Sequence, residues 1–212
     1  MSKSKVAVAA LISLILTGCG SEGTLTSQGV IVNRSACPAV AIPAATGDVT
    51  LFSPENSRDA DAIDVVANIT KLRSTCNDAG ETIVANLTFD VQGQRRDGRG
   101  ARDVVLPYFA VVVQGGTNIV SKSVSNVGLH FDDGQLRAST SATASGSISR
   151  AAVTLPDEIQ RQVTRERKPG DPDAAVDPLA NPEVRDAVRR ASYEVLVGFQ
   201  LSKDQLSYNA TR

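Results

Sequence analysis

Between Glu81 and Gln92 the apolar residues Ile83, Ala85, Leu87, Phe89 and Val91 alternate strictly with Val84, Asn86, Thr88 and Asp90. Side chains of an extended chain point to opposite faces in turn, so a period of two predicts a strand with one buried and one wet face. A strand of that kind is unstable alone. Its apolar face needs a second layer, which restricts the chain to architectures in which a sheet is covered by another sheet or by helices.

The rest of the chain points to sheet on sheet. Leu136, Ala138, Ala142, Ala144 and Ile148 share a face opposite Arg137, Ser139, Ser141, Thr143, Ser145 and Ser147, and Tyr193, Val195, Val197, Phe199 and Leu201 repeat the pattern. Ile63, Val65, Ala67 and Ile69 do the same until the apolar parity shifts to Leu72 and Cys76, which predicts a bulge near Thr70 and Lys71. Val104 to Val113 is almost wholly apolar, as in a central strand covered on both sides, although Pro107 predicts a local bulge or edge position. Val49 to Phe52, Ile119 to Val124 and Val127 to Phe131 complete the strands, and the turns carry Asn77 to Gly80, Gln114 to Gly116 and Asp132 to Gly134.

Residues 156–192 break this rhythm. Pro156 opens a short helix with Asp157 and Glu158 in its first turn, and Asn181 caps a second, with Pro182 at its first position and Val184, Ala187, Val188 and Ala191 in one stripe. Lys168 to Ala180 holds three prolines and reads as a surface loop. The expected fold is mainly β: an antiparallel β-sandwich, immunoglobulin- or fibronectin-like in architecture, with two short helices inserted before the last strand. It forms one domain over residues 30–212.

The N-terminus is of another kind. Lys3 and Lys5 precede an apolar run, Val6 to Leu16, that is too short to span a bilayer, for which about 20 residues are needed. The run ends in Leu16-Thr17-Gly18-Cys19, which resembles the lipobox of bacterial lipoproteins at all four positions. The resemblance implies a signal peptide over residues 1–18 and a diacylglycerol on Cys19, a membrane anchor of several acyl chains. Gly20 after the cysteine, in place of the aspartate that favours inner-membrane retention in that family, implies the periplasmic face of the outer membrane. Residues 19–29 read as the lipidated cysteine and a flexible tether.

With Cys19 committed to lipid, Cys37 and Cys76 are left as a pair in an oxidising compartment. A disulfide is the expected state, free buried thiols the alternative. Of 22 basic residues, Lys3 and Lys5 fall in the signal, so 20 remain against 23 acidic ones, a formal charge of −3. No global field then draws the domain to nucleic acid. With five Phe, three Tyr and no Trp, few rings are available on which a glycan or a single-stranded nucleic acid would stack.

Candidate chemistry is sparse. His130, the only histidine, sits on a polar parity near Asp132 and Asp133 without a nucleophile pattern, so no catalytic residue is assigned. Asp171, Asp173 and Asp177 imitate the start of a calcium loop, but the glycine is missing and Pro182 stands where the bidentate glutamate belongs, so neither metal nor cofactor is expected. The densest charge lies in Gly93 to Asp103, where Arg95, Arg96, Arg99 and Arg102 form a candidate partner-binding loop for an envelope protein or anionic envelope polymer. These features predict a non-enzymatic binding or assembly module of the cell envelope. The alternative is an envelope-acting hydrolase whose carboxylates the fold brings together.

Overall fold

The structure, a computed structural model, describes residues 23–26, 29–32, 36–165 and 167–211. The signal peptide and Cys19 lie outside the described residues. The chain divides into two units, residues 1–34 and 35–212. In the first, β1 (Gly23–Thr26) and β2 (Gly29–Val32) pair antiparallel from Gly23↔Val32 to Thr26↔Gly29. The segment expected to be a structureless tether thus contains a strand. Thr24, Leu25, Val30, Ile31 and Val32 are β-favouring types on either side of a two-residue connection, a local signal that carries no alternation.

The second unit is a sandwich of two four-stranded sheets. One contains β4 (Asp48–Phe52), β5 (Ile63–Asn77), β6 (Thr82–Arg95) and β9 (Arg137–Ser149), in the order β4-β5-β6-β9. The other contains β3 (Ala39–Ala41), β7 (Arg102–Gln114), β8 (Asn118–Phe131) and β10 (Tyr193–Phe199), in the order β3-β10-β7-β8. Every pairing is antiparallel except that of β3 with β10. The two segments expected as separate strands around Ser125 are one strand, β8. The register of β5 slips between Thr70 and Arg73, with Lys71 at φ 51°, as the parity shift requires.

The alternating residues face the interior. Ile83, Ala85, Leu87, Phe89 and Val91 of β6 pack in one core with Leu106, Tyr108 and Val112 of β7, Leu129 and Phe131 of β8, and Val195, Val197 and Phe199 of β10. Each of the buried rings Phe89, Phe131 and Phe199 contributes roughly 1.5–3 kcal/mol by leaving water. Strand β9 lines this core with small residues, Ala138, Ala142, Ala144 and Gly146, ahead of Ile148. The approach is close: a Cβ on Gly146 would stand 2.8 Å from Val112 Cγ2 and 2.9 Å from Val195 Cγ1. The Tyr108 hydroxyl spans the core and donates to the Thr143 carbonyl at 2.8 Å, giving one backbone acceptor of the edge strand β9 a partner.

Pro107 sits mid-strand without a bulge; the irregularity of β7 lies between Val112 and Val113. Its carbonyl accepts from Gln200 N on the side where β10 has ended at Phe199, opposite Tyr108. The absent N–H therefore interrupts no ladder.

Cys37 and Cys76 are bonded, with Cα atoms 5.9 Å apart. The bond joins the segment entering β3 to the end of β5, one in each sheet. Closing a loop of this length is worth roughly 4 kcal/mol by restricting the unfolded chain.

The excursion before β10 holds α1 (Arg150–Val153), α2 (Asp157–Thr164) and α3 (Pro182–Ala191), and Asn181 Oδ1 accepts from Glu183 N at 3.0 Å as its cap. Leu155, Ile159, Val184, Ala187 and Val188 form a second small core. A last helix, α4 (Lys203–Thr211), carries no apolar stripe and was not anticipated. It is held by tertiary contacts: Tyr208 meets the Phe52 ring edge-on, and Asn209 Nδ2 donates to the Ala45 and Asp48 carbonyls.

Candidate functional site

The grouping of Arg95, Arg96, Arg99 and Arg102 as one exposed patch fails at Arg95. The alternation of β6 does not stop at Val91 but continues through Gly93, so Arg95 points inward and is 2% exposed. Its guanidinium donates to four carbonyls: Gln135 from Nε at 2.7 Å, Gly100 from Nη1 at 2.8 Å, and Gly98 and Asp132 from Nη2 at 2.7 and 2.9 Å. It also lies 5.3 Å over the Phe131 ring. These acceptors belong to two of the connections that cross between the sheets, β6 to β7 and β8 to β9, so Arg95 ties these turns together. A planar fork can satisfy diverging carbonyls that a lysine cannot reach together. Arg95 is structural.

The other three are exposed and paired. Arg96 Nη2 lies 3.4 Å from Asp61. Arg99 donates to Asp97 from its side chain and its backbone N–H, which holds the Asp97 carboxyl down to about 2. Arg102 binds Asp64 through both nitrogens, at 2.8 and 2.6 Å, and that carboxylate keeps its guanidinium firmly protonated. The loop is a set of local ion pairs rather than a reserve of free cations.

A more open arrangement lies beside it, on the outer face of β5, β6 and β9. There the surface hollows into a cleft of about 930 Å³. The ladder sets its lining in rows: Asn68, Gln92 and Ser139 stand abreast, then Val66, Gln94 and Arg137, and then Arg96, whose backbone N–H donates to the Asp64 carbonyl. Neighbouring strands are ~4.8 Å apart and alternate residues along one strand ~6.8 Å. The grid thus presents amide, hydroxyl and guanidinium groups at small, fixed spacings. Among the described residues, the side chains of Asn68, Gln92, Gln94, Arg137 and Ser139 make no hydrogen bond or ion pair.

Sequence reasoning missed this site. Alternation puts Arg137 and Ser139 on the polar face of their strand, but which strands adjoin β6 is a fact of topology and not of any one segment. The signal that was present is the parity of Gln92 and Gln94, opposite to that of Arg95.

His130 Nδ1 lies 2.7 Å from Asp103 and Nε2 3.3 Å from Asp132, and these carboxylates, Asp103 foremost, raise its pKa. All three side chains are exposed. In the calcium-like segment, Asp173 pairs with Arg165 and Arg167, and Asp177 caps a 3-10 turn at Pro178–Ala180 through Leu179 N. These are roles of a surface loop.

No protein-family model, no curated protein and no solved structure matches this chain. The class it defines is a disulfide-bonded β-sandwich with a polar hollow on one outer face.

Proposed function

We propose that this chain is a lipid-anchored protein of the cell envelope, held through Cys19 at the periplasmic face of the outer membrane, whose sandwich binds an envelope component. The observation that carries the binding reading is the hollow, where five polar side chains on a hydrogen-bonded sheet have no partner among the described residues. Groups fixed before binding lose little entropy when a ligand meets them. The anchor rests on the lipobox resemblance.

The hydrolase alternative asks for two carboxyl groups roughly 5–9.5 Å apart around a scissile bond. The lining of the hollow holds one carboxylate, Asp64, already engaged by Arg102. This favours binding over hydrolysis.

The test is co-sedimentation of the purified full chain, in detergent, with lipid-extracted envelope material, so that the acyl anchor does not itself carry the chain down. The double variant Arg96→Gln/Arg137→Gln should sediment less than the parent chain at equal thermal stability. Undiminished sedimentation of the variant would refute the hollow as the binding site.

A further inference from the structure

From the hollow and its surroundings we infer that the ligand is a hydroxyl-rich polymer bearing anionic groups, that is, an acidic glycan or sugar-phosphate chain, laid along β6 with an anionic group between Arg96 and Arg137. The inference deepens the binding reading above and rests on it.

The charge is the first argument. Arg95 points away from the hollow, and of the charged side chains that reach it Arg96 is paired to Asp61 and Asp64 to Arg102, which leaves the charge of Arg137 uncompensated. A positive site therefore stands on a chain whose formal net charge is −1. Arg137 is the free cation of this group among the described residues, and its guanidinium offers a two-pronged contact suited to carboxylate or phosphate.

Extent is the second. The polar floor does not end at the hollow: outward positions of β6 continue as Asp90, Thr88 and Asn86, flanked on β9 by Ser141, Thr143 and Ser145. The polar outward residues of β6 from Asn86 to Gln94 give a track of ~27 Å at strand rise, longer than a small metabolite needs. Asp90, whose pKa is lowered by Lys71 and Ser141, is ionised along this track. Its charge is met by Lys71 at 2.9 Å, so the uncompensated charge of the track stands at the Arg137 end.

The chemistry of the floor is the third. Amides and hydroxyls both donate and accept, as a polyol requires. Among the described residues no Phe, Tyr or Trp lines the hollow to offer a ring on which a neutral pyranose would stack. Affinity must then come from charge-assisted hydrogen bonds, and that selects an acidic chain over a neutral one.

The experiment is calorimetric titration of the full chain in detergent micelles with four probes: tetragalacturonate, a glycerol-phosphate hexamer, cellotetraose and hexaglutamate. One or both acidic polyols should bind at least about ten-fold tighter than cellotetraose and hexaglutamate, and Arg96→Gln/Arg137→Gln should remove about that advantage. Preference between galacturonate and glycerol phosphate identifies the source of the anion. Equal binding of cellotetraose overturns the acidic class, and tighter binding of hexaglutamate overturns the polyol class in favour of a polypeptide. If no probe binds while the double variant still loses sedimentation with envelope material, the ligand class fails and the hollow stands. If neither assay responds to the variant, the hollow itself is wrong. The variant's melting temperature must match the parent's, and Gln92→Ala/Gln94→Ala, which leaves every charge in place, should weaken the acidic probe without abolishing its advantage over cellotetraose.

Discussion

Arg102 grips Asp64 with both guanidinium nitrogens, at 2.8 and 2.6 Å, and so links β7 of one sheet to β5 of the other. The arginine side chain is 44% exposed and the aspartate 20%. Water and salt screen such a pair, and exposed ion pairs typically contribute less than about 1 kcal/mol. A double-mutant cycle of Arg102→Ala and Asp64→Ala in urea should give a favourable coupling of about 0.5–1 kcal/mol that shrinks in high salt. A coupling that is salt-independent would contradict this account.

Arg95 should behave quite differently. Arg95→Ala removes a donor from four carbonyls, of which those of Gly98 and Asp132 keep backbone donors in Gly134 N and Gln135 N, and with unsatisfied groups at ~1–3 kcal/mol before relaxation, a net loss of about 2 kcal/mol or more is expected. Arg95→Lys should recover only part of it, because an ammonium cannot span the same acceptors. Arg99→Ala, a change at an exposed pair, should leave stability nearly unchanged. Equilibrium denaturation of the three variants measures this contrast.

Gly146→Ala tests how closely the sheets meet. The new methyl falls on two valines, whose branched side chains have few rotamers to retreat into, so the cost should be about 1–3 kcal/mol. A neutral result would mean that the sheets separate more readily than this packing implies.

What the sequence could and could not reveal follows from which interactions are local. Alternation in β6, β10 and the first half of β5 reports on one strand at a time, and it placed Phe89, Val197 and Ile69 in the core correctly. The Asn181 cap of α3 is equally local. The hollow was hidden because Asn68, Gln92 and Ser139 are far apart in sequence and meet only through the order β5-β6-β9. Arg95 is instructive: its charge suggests an exposed loop, yet the same alternation that buries Val91 also buries Arg95. Helix α4 has no amphipathic signal because its contacts with Phe52 and with the Ala45 and Asp48 carbonyls are tertiary.

The pH response should have two arms. His130 has its pKa raised by Asp103, so it contributes stability below its unfolded value of about 6.5 and loses that contribution as pH rises through the higher folded value. Asp97, held down to about 2 by Arg99, contributes above the ordinary carboxylate value of 3.8 and loses its share as pH falls towards 2. NMR titration of His130 should give a midpoint above that of a free imidazole, and Asp103→Asn should lower it. A midpoint unmoved by that substitution would refute the pairing.

Lipid attachment has its own test. Cys19→Ala should abolish incorporation of a fatty-acid analogue and release the chain from the membrane fraction. Label retained by the variant would refute the lipobox assignment.

The parallel seam between β3 and β10 governs when this molecule can finish folding. Ala39 faces Glu194 and Ala41 faces Leu196, so an early strand waits for one made about 155 residues later. Pairings this distant in sequence slow folding, because the intervening chain must be ordered before they form. Until β10 arrives, β7 lacks one of its two neighbours and β3 lacks its only one. A chain released before residue 193 would expose both vacant edges, open to pairing with other chains. In a crowded compartment, a truncated product of this gene should therefore aggregate or be degraded rather than persist as a smaller working version.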